Sequence, residues 1–526
     1  MHVDWDFCVF RLKLQLNILI NMHKSISLFL FFAFFYLSTI NANAQLIKNV
    51  IIIDGSGAEA YSGSVRIKGN IIIGVGQLKP VKGEIVIDGK GQVIAPGFID
   101  SHSHHFSGLM QDPTGLANAS QGVTTIVIGQ DGDSYLMDSL TNKLQKRPIA
   151  INVATYTGHA TLRELVMGEK NVLRKATQKE INKMKAILTS DMQKGSFGLA
   201  TGLEYEQSFY SSKEEVIDLA KIAALYNGRY MSHIRSEDIA LDEAIEEIIN
   251  IGKLTKMPVQ IAHIKIGIKE RWNTASEIIK KLEVARKEGV EITADVYPYN
   301  FWNSTLRVLF AKRDYENLES AQFAVDQVFD ANESYLVHFA PMPHYKGMTI
   351  AAIAKERNQR PAQTIIDLIK MTSAFKIANP NFKGRVEAIA AKGMSEKDVA
   401  SFLKWEHSNI CSDGADGGHP RGYGSFTKVL GKYTREEKLF SLETAIFKMT
   451  GLTAKHLGIK DRGQIKNGYK ADLVLFDPNN VKDNASIENG KAISSGINMV
   501  WVNGKLVYQY QQTTGDFPGI LIKRNK

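Results

Sequence analysis

Polar and apolar positions along this chain follow two different periods. From residue 46 to about 94, short apolar runs alternate with polar residues and break at glycine, as in LIKNVIIIDGSG, GSVRIKGNIIIGVG and GEIVIDGKGQVIA. The other end, GQIKNGYKADLVLFDP and GINMVWVNGKLVYQ, has the same texture. Period-two alternation with glycine turns predicts strands, so 45–94 and 465–526 are expected to meet as one small β-sandwich. Between them, 95–464 alternates short apolar runs with stretches of helical spacing such as SSKEEVIDLAKIAALYN and ALDEAIEEIINIGKLT. Repeated strand and helix predict an α/β fold, a parallel (β/α)8 TIM barrel. Its strands are expected at 94–104, 124–129, 149–157, 197–203, 228–235, 259–264, 292–299 and 409–414. The long gap before the eighth predicts an insertion within about 303–360, lying as a lid over the barrel mouth.

Titratable residues gather where these strands end. The run VIAPGFIDSHSHHFSG, 93–108, passes from an apolar segment into Asp100, Ser101, His102, Ser103, His104 and His105. Side chains two apart on a strand share a face, so His102 and His104 point together while His105 turns to the other side, in a structural role. Asp131 follows strand two, His159 strand three and Glu204 strand four, while His233, His263 and Asp413 lie on strands five, six and eight. A parallel barrel builds its active site at this face. Imidazole and carboxylate together suit zinc or a similar divalent ion, with a position left open for water.

Composition narrows the function classes. The 526 residues are 44% hydrophobic and 23% charged, an ordinary globular balance, and the formal charge of +9 is spread without basic blocks. That distribution fits solubility and attraction of anionic small molecules and excludes a nucleic-acid partner. Residues 22–44, MHKSISLFLFFAFFYLSTINANA, have a basic start, ten apolar residues and an A-x-A end. They predict a signal peptide cleaved near Ala44, with Met22 as the start and 1–21 an extension; the apolar run is too short to span a bilayer of about 30 Å. The mature protein is therefore expected to be secreted or periplasmic, with no membrane partner. Of the two cysteines, Cys8 precedes the signal and Cys411 is left alone as a packed thiol. The glycines of IIIGVGQ lack the following helix that dinucleotide binding needs.

The segments PGFIDSHSHH, GHATLR, YMSHIRSE, PVQIAHIK, ADVYPY, CSDG and HPRGYGSF, with LETAIFKMTGLTAKHLGI and GQIKNGYKADLVLFDP after them, resemble the amidohydrolase superfamily, in its N-acyl-D-amino-acid deacylase (D-aminoacylase) branch. The resemblance implies one or two zinc ions held by His102, His104, Asp131, His233, His263 and Asp413. It also implies hydrolysis of N-acyl-D-amino acids, or dipeptides with a D-residue, by metal-activated water. Asp413 would take the proton of that water and pass it to the departing amine. This chain departs from the branch at VIGQDGDS, where Asp131 stands in place of a ligating Cys. Carboxylate is harder than thiolate and also ligates; Glu204 is the rival for a bridging role, and a simple turn is the third alternative for Asp131. Arg235 and Lys265 lie two residues beyond His233 and His263, and with Tyr297 they are assigned, by similarity, to the substrate carboxylate. His159 and His419 are candidates for supporting the ligands. The competing functions are cyclic-amide hydrolysis, disfavoured because no Lys ends strand four, and a non-catalytic secreted binding protein.

Overall fold

The computed structural model describes residues 44–524; the signal segment expected at 22–44 lies outside them but for Ala44. Eight parallel strands form the barrel: Phe98–Asp100, Val123–Ile128, Asn152–Thr155, Gly198–Gly202, Arg229–His233, Val259–Ile261, Ile292–Val296 and Ser408–Ile410. Neighbours pair in that order, with Thr157–Gly158 carrying the third strand's pairing to the fourth. Closure comes just past the strand ends. There the Asp413 N–H donates to the His102 carbonyl and the His104 N–H to the Gly414 carbonyl, both at 2.8 Å.

The strand expected over 94–104 is two strands. Val93–Pro96 belongs to the small domain and Phe98–Asp100 to the barrel. Gly97 separates them because its chain runs against Thr124, whose side chain lies 2.2 Å from where a Cβ would stand. The two chain ends meet in one nine-stranded ladder. Val93–Pro96 joins them, parallel to Ala44–Ile52 on one side and antiparallel to Leu473–Phe476 on the other. Inward residues of both ends, among them Val65, Ile67, Ile94, Leu473 and Trp501, pack as a single apolar cluster.

Between strands seven and eight the chain runs well beyond residue 360. Phe301–Ser304, Tyr335–Phe339 and Glu387–Lys392 make a three-stranded antiparallel sheet with the last strand in the middle, accompanied by the helices Leu318–Phe323, Ile350–Glu356 and Pro361–Ala378. The helix Pro361–Ala378 has the look of a barrel helix in sequence, and only long-range pairing reveals that the insertion continues to Lys392. No helix of the described residues is long and apolar enough to cross a membrane.

At the start of strands three and four the C-terminal tail fills the wall. Val153 N–H donates to Ile520 O at 2.9 Å, Ile522 N–H to Val153 O at 2.7 Å, and Arg524 N–H to Gly195 O at 2.9 Å. These bonds and the half-buried Leu521 and Ile522 amount to about 2–4 kcal/mol. Ending the chain at Gly515 should therefore lower the melting temperature by several degrees and speed amide exchange at Val153. Unchanged melting and exchange would show that the tail is dispensable.

Candidate metal centre and active site

Six side chains converge at the C-terminal mouth of the barrel. His102 Nε2 lies 3.3 Å from His104 Nε2, and Asp413 Oδ1 is 3.4 and 3.2 Å from these two nitrogens. His233 Nδ1 lies 3.0 Å from His263 Nε2, with Asp131 Oδ1 at 3.7 and 3.4 Å from them. Asp131 Oδ2 is 3.3 Å from His104 Nε2. One carboxylate thus faces two donor sets, Asp131, His233 and His263, and His102, His104, Asp131 and Asp413, its Oδ1 lying toward His233 and His263 and also 3.6 Å from His102 Nε2.

These spacings fit divalent cations. Ligands about 2.0–2.1 Å from a tetrahedral ion stand roughly 3.3–3.5 Å apart. Asp131 Oδ1 is buried without a hydrogen-bond partner, which is costly unless a cation meets it. Burial opposes ionisation of Asp131, but the imidazoles of His102, His104 and His263 outweigh it and hold the carboxyl well below its usual range. Burial likewise opposes protonation of His104 and His263. The carboxylates around them prevail, raising His104 to about 9 and His263 to about 10.

Backbone strain is concentrated in the same residues. Asp131, His263 and Asp413 have φ of 61°, 36° and 47°, the left-handed region that side chains other than glycine seldom adopt. Each costs on the order of 1–3 kcal/mol and persists because its surroundings over-determine it. His263 N–H donates to Asp295 Oδ1 at 2.6 Å, and Asp295 also receives the Cys411 thiol at 3.2 Å. Cys411 is fully buried, and burial pushes its pKa well up.

Glu204 stands behind His233, not between the donor sets. Its Oε2 is 2.8 Å from His233 Nε2, leaving Nδ1 for the Asp131 side. Behind His263, Nδ1 meets both Lys265 Nζ at 2.6 Å and Glu237 Oε1 at 3.1 Å. Such partners fix which ring nitrogen carries the hydrogen and which offers its lone pair.

The structure divides the remaining expected site residues. Lys265 and Tyr297 line a narrow cavity of about 40 Å³ beside the donor sets. Lys265 Nζ donates to both Glu237 oxygens at 2.7 and 2.8 Å. Arg235 does not reach this cavity. Its guanidinium grips Glu247 through two bonds of 2.8 Å and donates to the carbonyls of Phe209 and Ser211. Strand five ends at His233, and the chain beyond it carries the residue 235 side chain to Glu247. His159 is also remote, buried against Glu215 at 2.9 Å beside Arg163. His419 accepts from the Arg421 N–H at 3.0 Å and lines a wider outer cavity of about 510 Å³. His105 is buried between Ser103 and the Gly422 carbonyl.

Arg421 is a residue that strand-end reasoning passed over. It lines both cavities, places Nη1 2.7 Å from Asp413 Oδ2, and lies over the Tyr297 ring at 4.9 Å. Burial opposes the charge on Asp413, and Arg421 beside it more than restores the ionised form. HPRGYGSF was the available signal, because it brings a cation back toward the mouth within eight residues of CSDG. Tyr205, whose hydroxyl is 3.5 Å from Asp131 Oδ2, was missed as well.

Comparison with known proteins places these features. A model described as the amidohydrolase family matches residues 85–508. D-aminoacylase of Alcaligenes xylosoxydans xylosoxydans is 31% identical over 506 residues, covering 91% of this chain and 97% of the relative. A solved D-aminoacylase, described by its binuclear metal centre with one-metal activation and second-metal attenuation, superposes with a TM-score of 0.79 at 30% identity, covering 91% of this chain and 99% of that one. N-acyl-D-glutamate deacylase from Bordetella bronchiseptica, solved with zinc and a phosphonate inhibitor, gives 0.80 at 28% identity over the same shares.

Purified protein should bind one or two equivalents of zinc, and His233→Ala with His263→Ala should abolish the tighter site by elemental analysis and calorimetry. Because the carboxylates around His104 and His263 raise their pKa values and metal binding must displace a bound proton, affinity should rise with pH. Full occupancy in the double variant, or pH-independent affinity, would contradict this donor set.

Proposed function

This chain belongs to the amidohydrolase family, in the branch that contains D-aminoacylase, and we propose that it is a metal-dependent hydrolase of N-acyl-D-amino acids. The observation that carries the reading is Asp131, one carboxylate facing two imidazole sets beside a cavity lined by Lys265, Tyr297 and Arg421. Asp131, His233 and His263 would hold one ion, and His102, His104 and Asp413 a second, with Asp131 shared. A bound divalent ion supplies a water acidified toward about pH 7 and a polarised amide carbonyl.

Asp413 moves the proton. Its Oδ1 faces the imidazoles and its Oδ2 faces Arg421, so the carboxylate is held ionised and aimed before substrate arrives. It accepts a proton from the attacking water and returns it to the leaving nitrogen, which departs as an amine. Lys265, Tyr297 and Arg421 converge on the place where the substrate's carboxylate sits, and charged bidentate donors give that group orientation as well as affinity. Arg421 is shared between this carboxylate and Asp413, which couples substrate docking to the proton acceptor. Glu204 ends the fourth strand on His233, so the bridging Lys of other amidohydrolases has no counterpart there. The expected signal segment supports action outside the cytoplasm; N-terminal sequencing of protein from the cell envelope should read from Gln45.

Metal-reconstituted protein should hydrolyse N-acetyl-D-methionine at least about a hundredfold faster than the L-isomer. Asp413→Asn should lower kcat by about 10² to 10⁴ while retaining substrate binding, because the lost group acts in the transition state. Arg421→Met should chiefly raise KM for free carboxylates and spare amidated analogues, whereas Arg235→Met should reduce stability and leave this KM unchanged. No turnover of any N-acyl-D-amino acid by metal-loaded protein would overturn the reading.

A further inference from the structure

Three arginines converge on one short segment. Residues 203–212 run from the end of strand four to the helix Lys213–Leu225, and four of their carbonyls accept hydrogen bonds from guanidinium groups. Arg313 donates to the Glu204 carbonyl, Arg163 to that of Gln207 at 2.7 Å, and Arg235 to those of Phe209 and Ser211, both at 3.2 Å. These donors come from separate parts of the chain: Arg163 from the helix His159–Met167, Arg235 from the loop after strand five, and Arg313 from the insertion. Two of them are aimed by buried carboxylates. Glu247 holds Arg235 through two bonds of 2.8 Å, and Glu215 holds Arg163 at 2.5 Å while meeting His159 Nε2 at 2.9 Å.

The segment so held carries two side chains to the donor sets. Glu204 Oε2 stands 2.8 Å from His233 Nε2. The Tyr205 ring lies 4.5 Å from the His233 ring, with its hydroxyl 3.5 Å from Asp131 Oδ2. Regular structure within the segment is limited to the four-residue helix Glu206–Phe209, so contacts from outside it set its course. A guanidinium suits this task, because its planar fork of five N–H donors satisfies a carboxylate and backbone carbonyls together, and its charge strengthens each bond. Arg235 does this in full, spanning Glu247 and two carbonyls. Groups behind a metal-binding imidazole fix its orientation and basicity, so their displacement weakens metal binding even when the ligands themselves are intact.

We propose that Arg163, Arg235 and Arg313 are positioning residues of the metal centre, acting through segment 203–212 to hold Glu204 and Tyr205 against His233. The inference rests on the reading of the donor sets as a metal centre. It gives His159, Arg163 and Arg235, from GHATLR and YMSHIRSE, one shared task away from the substrate, with His159 acting on Arg163 through Glu215. It also makes the insertion, through Arg313, a part of the support behind His233.

The test measures zinc affinity, by competition with a chromophoric chelator, and amide exchange over 203–212. In the wild type, zinc loading should slow that exchange, because support of the metal by the segment and of the segment by the metal are reciprocal. Arg313→Met and Arg235→Lys should each speed exchange in the segment and weaken zinc binding by about tenfold or more. Lysine at 235 keeps a cation beside Glu247 but does not span both carbonyls. Arg313→Lys, which retains a donor for the single Glu204 carbonyl, should recover most of the affinity. Arg357→Met removes an insertion guanidinium paired with Asp367 at 3.1 Å and should change neither readout. Faster exchange with unchanged zinc affinity in Arg313→Met and Arg235→Lys would reduce these arginines to structural supports and overturn the proposal, as would equal weakening in Arg357→Met. Should a variant fail to fold, the other and the wild-type comparison decide. Wild-type protein that binds no zinc would instead strike the metal centre itself, and the proposal with it.

Discussion

Two backbone hydrogen bonds close the barrel, and the residues that make them also carry its chemistry. The Asp413 N–H to His102 carbonyl bond and the His104 N–H to Gly414 carbonyl bond join the first strand to the eighth at the point where three donor side chains emerge. Closure and site assembly are therefore one event: a barrel that failed to close would also separate His102 and His104 from Asp413. The left-handed φ values at Asp131, His263 and Asp413 belong to the same bargain. Barrel closure and the buried Asp295 network over-determine the backbone, and the strain thereby held aims two carboxylates and an imidazole at a common centre.

Much of this was legible in the sequence, for physical reasons that also set the limits. Period-two spacing correctly paired His102 with His104, although both lie past the strand Phe98–Asp100 and are held by the closing bonds to Asp413 and Gly414, and the position of strand ends gathered Asp131, His233, His263 and Asp413. The same spacing failed at Arg235, whose guanidinium is drawn to Glu247 away from the donor sets. One strand over 94–104 disregards the local break signal Pro96–Gly97; the close approach of Gly97 to Thr124 that requires the glycine is a tertiary fact. Arg421 escaped because it sits on the helix after strand eight and folds back over the mouth. The extension of the insertion to Lys392 depends on antiparallel pairing across about ninety residues, which no local pattern records.

Electrostatics gives the mouth its selectivity. Nearly every charge near the donor sets has an assigned partner: Lys265 with Glu237, Arg421 with Asp413, Glu204 with His233. Buried pairs of this kind contribute little net stability, since desolvation offsets attraction. They do keep the carboxylates ionised and immobile, ready for ligands whose charge completes the set. Asp131 keeps a buried oxygen, Oδ1, without a hydrogen-bond partner, and it lies between the two imidazole sets.

Anomalous diffraction from crystals soaked in zinc would examine the shared carboxylate in a single experiment. Two peaks are predicted, one within bonding distance of Asp131 Oδ1, His233 Nδ1 and His263 Nε2, the other of Asp131 Oδ2, His102, His104 and Asp413. Peaks bridged by Glu204, or ions held without Asp131, would contradict it.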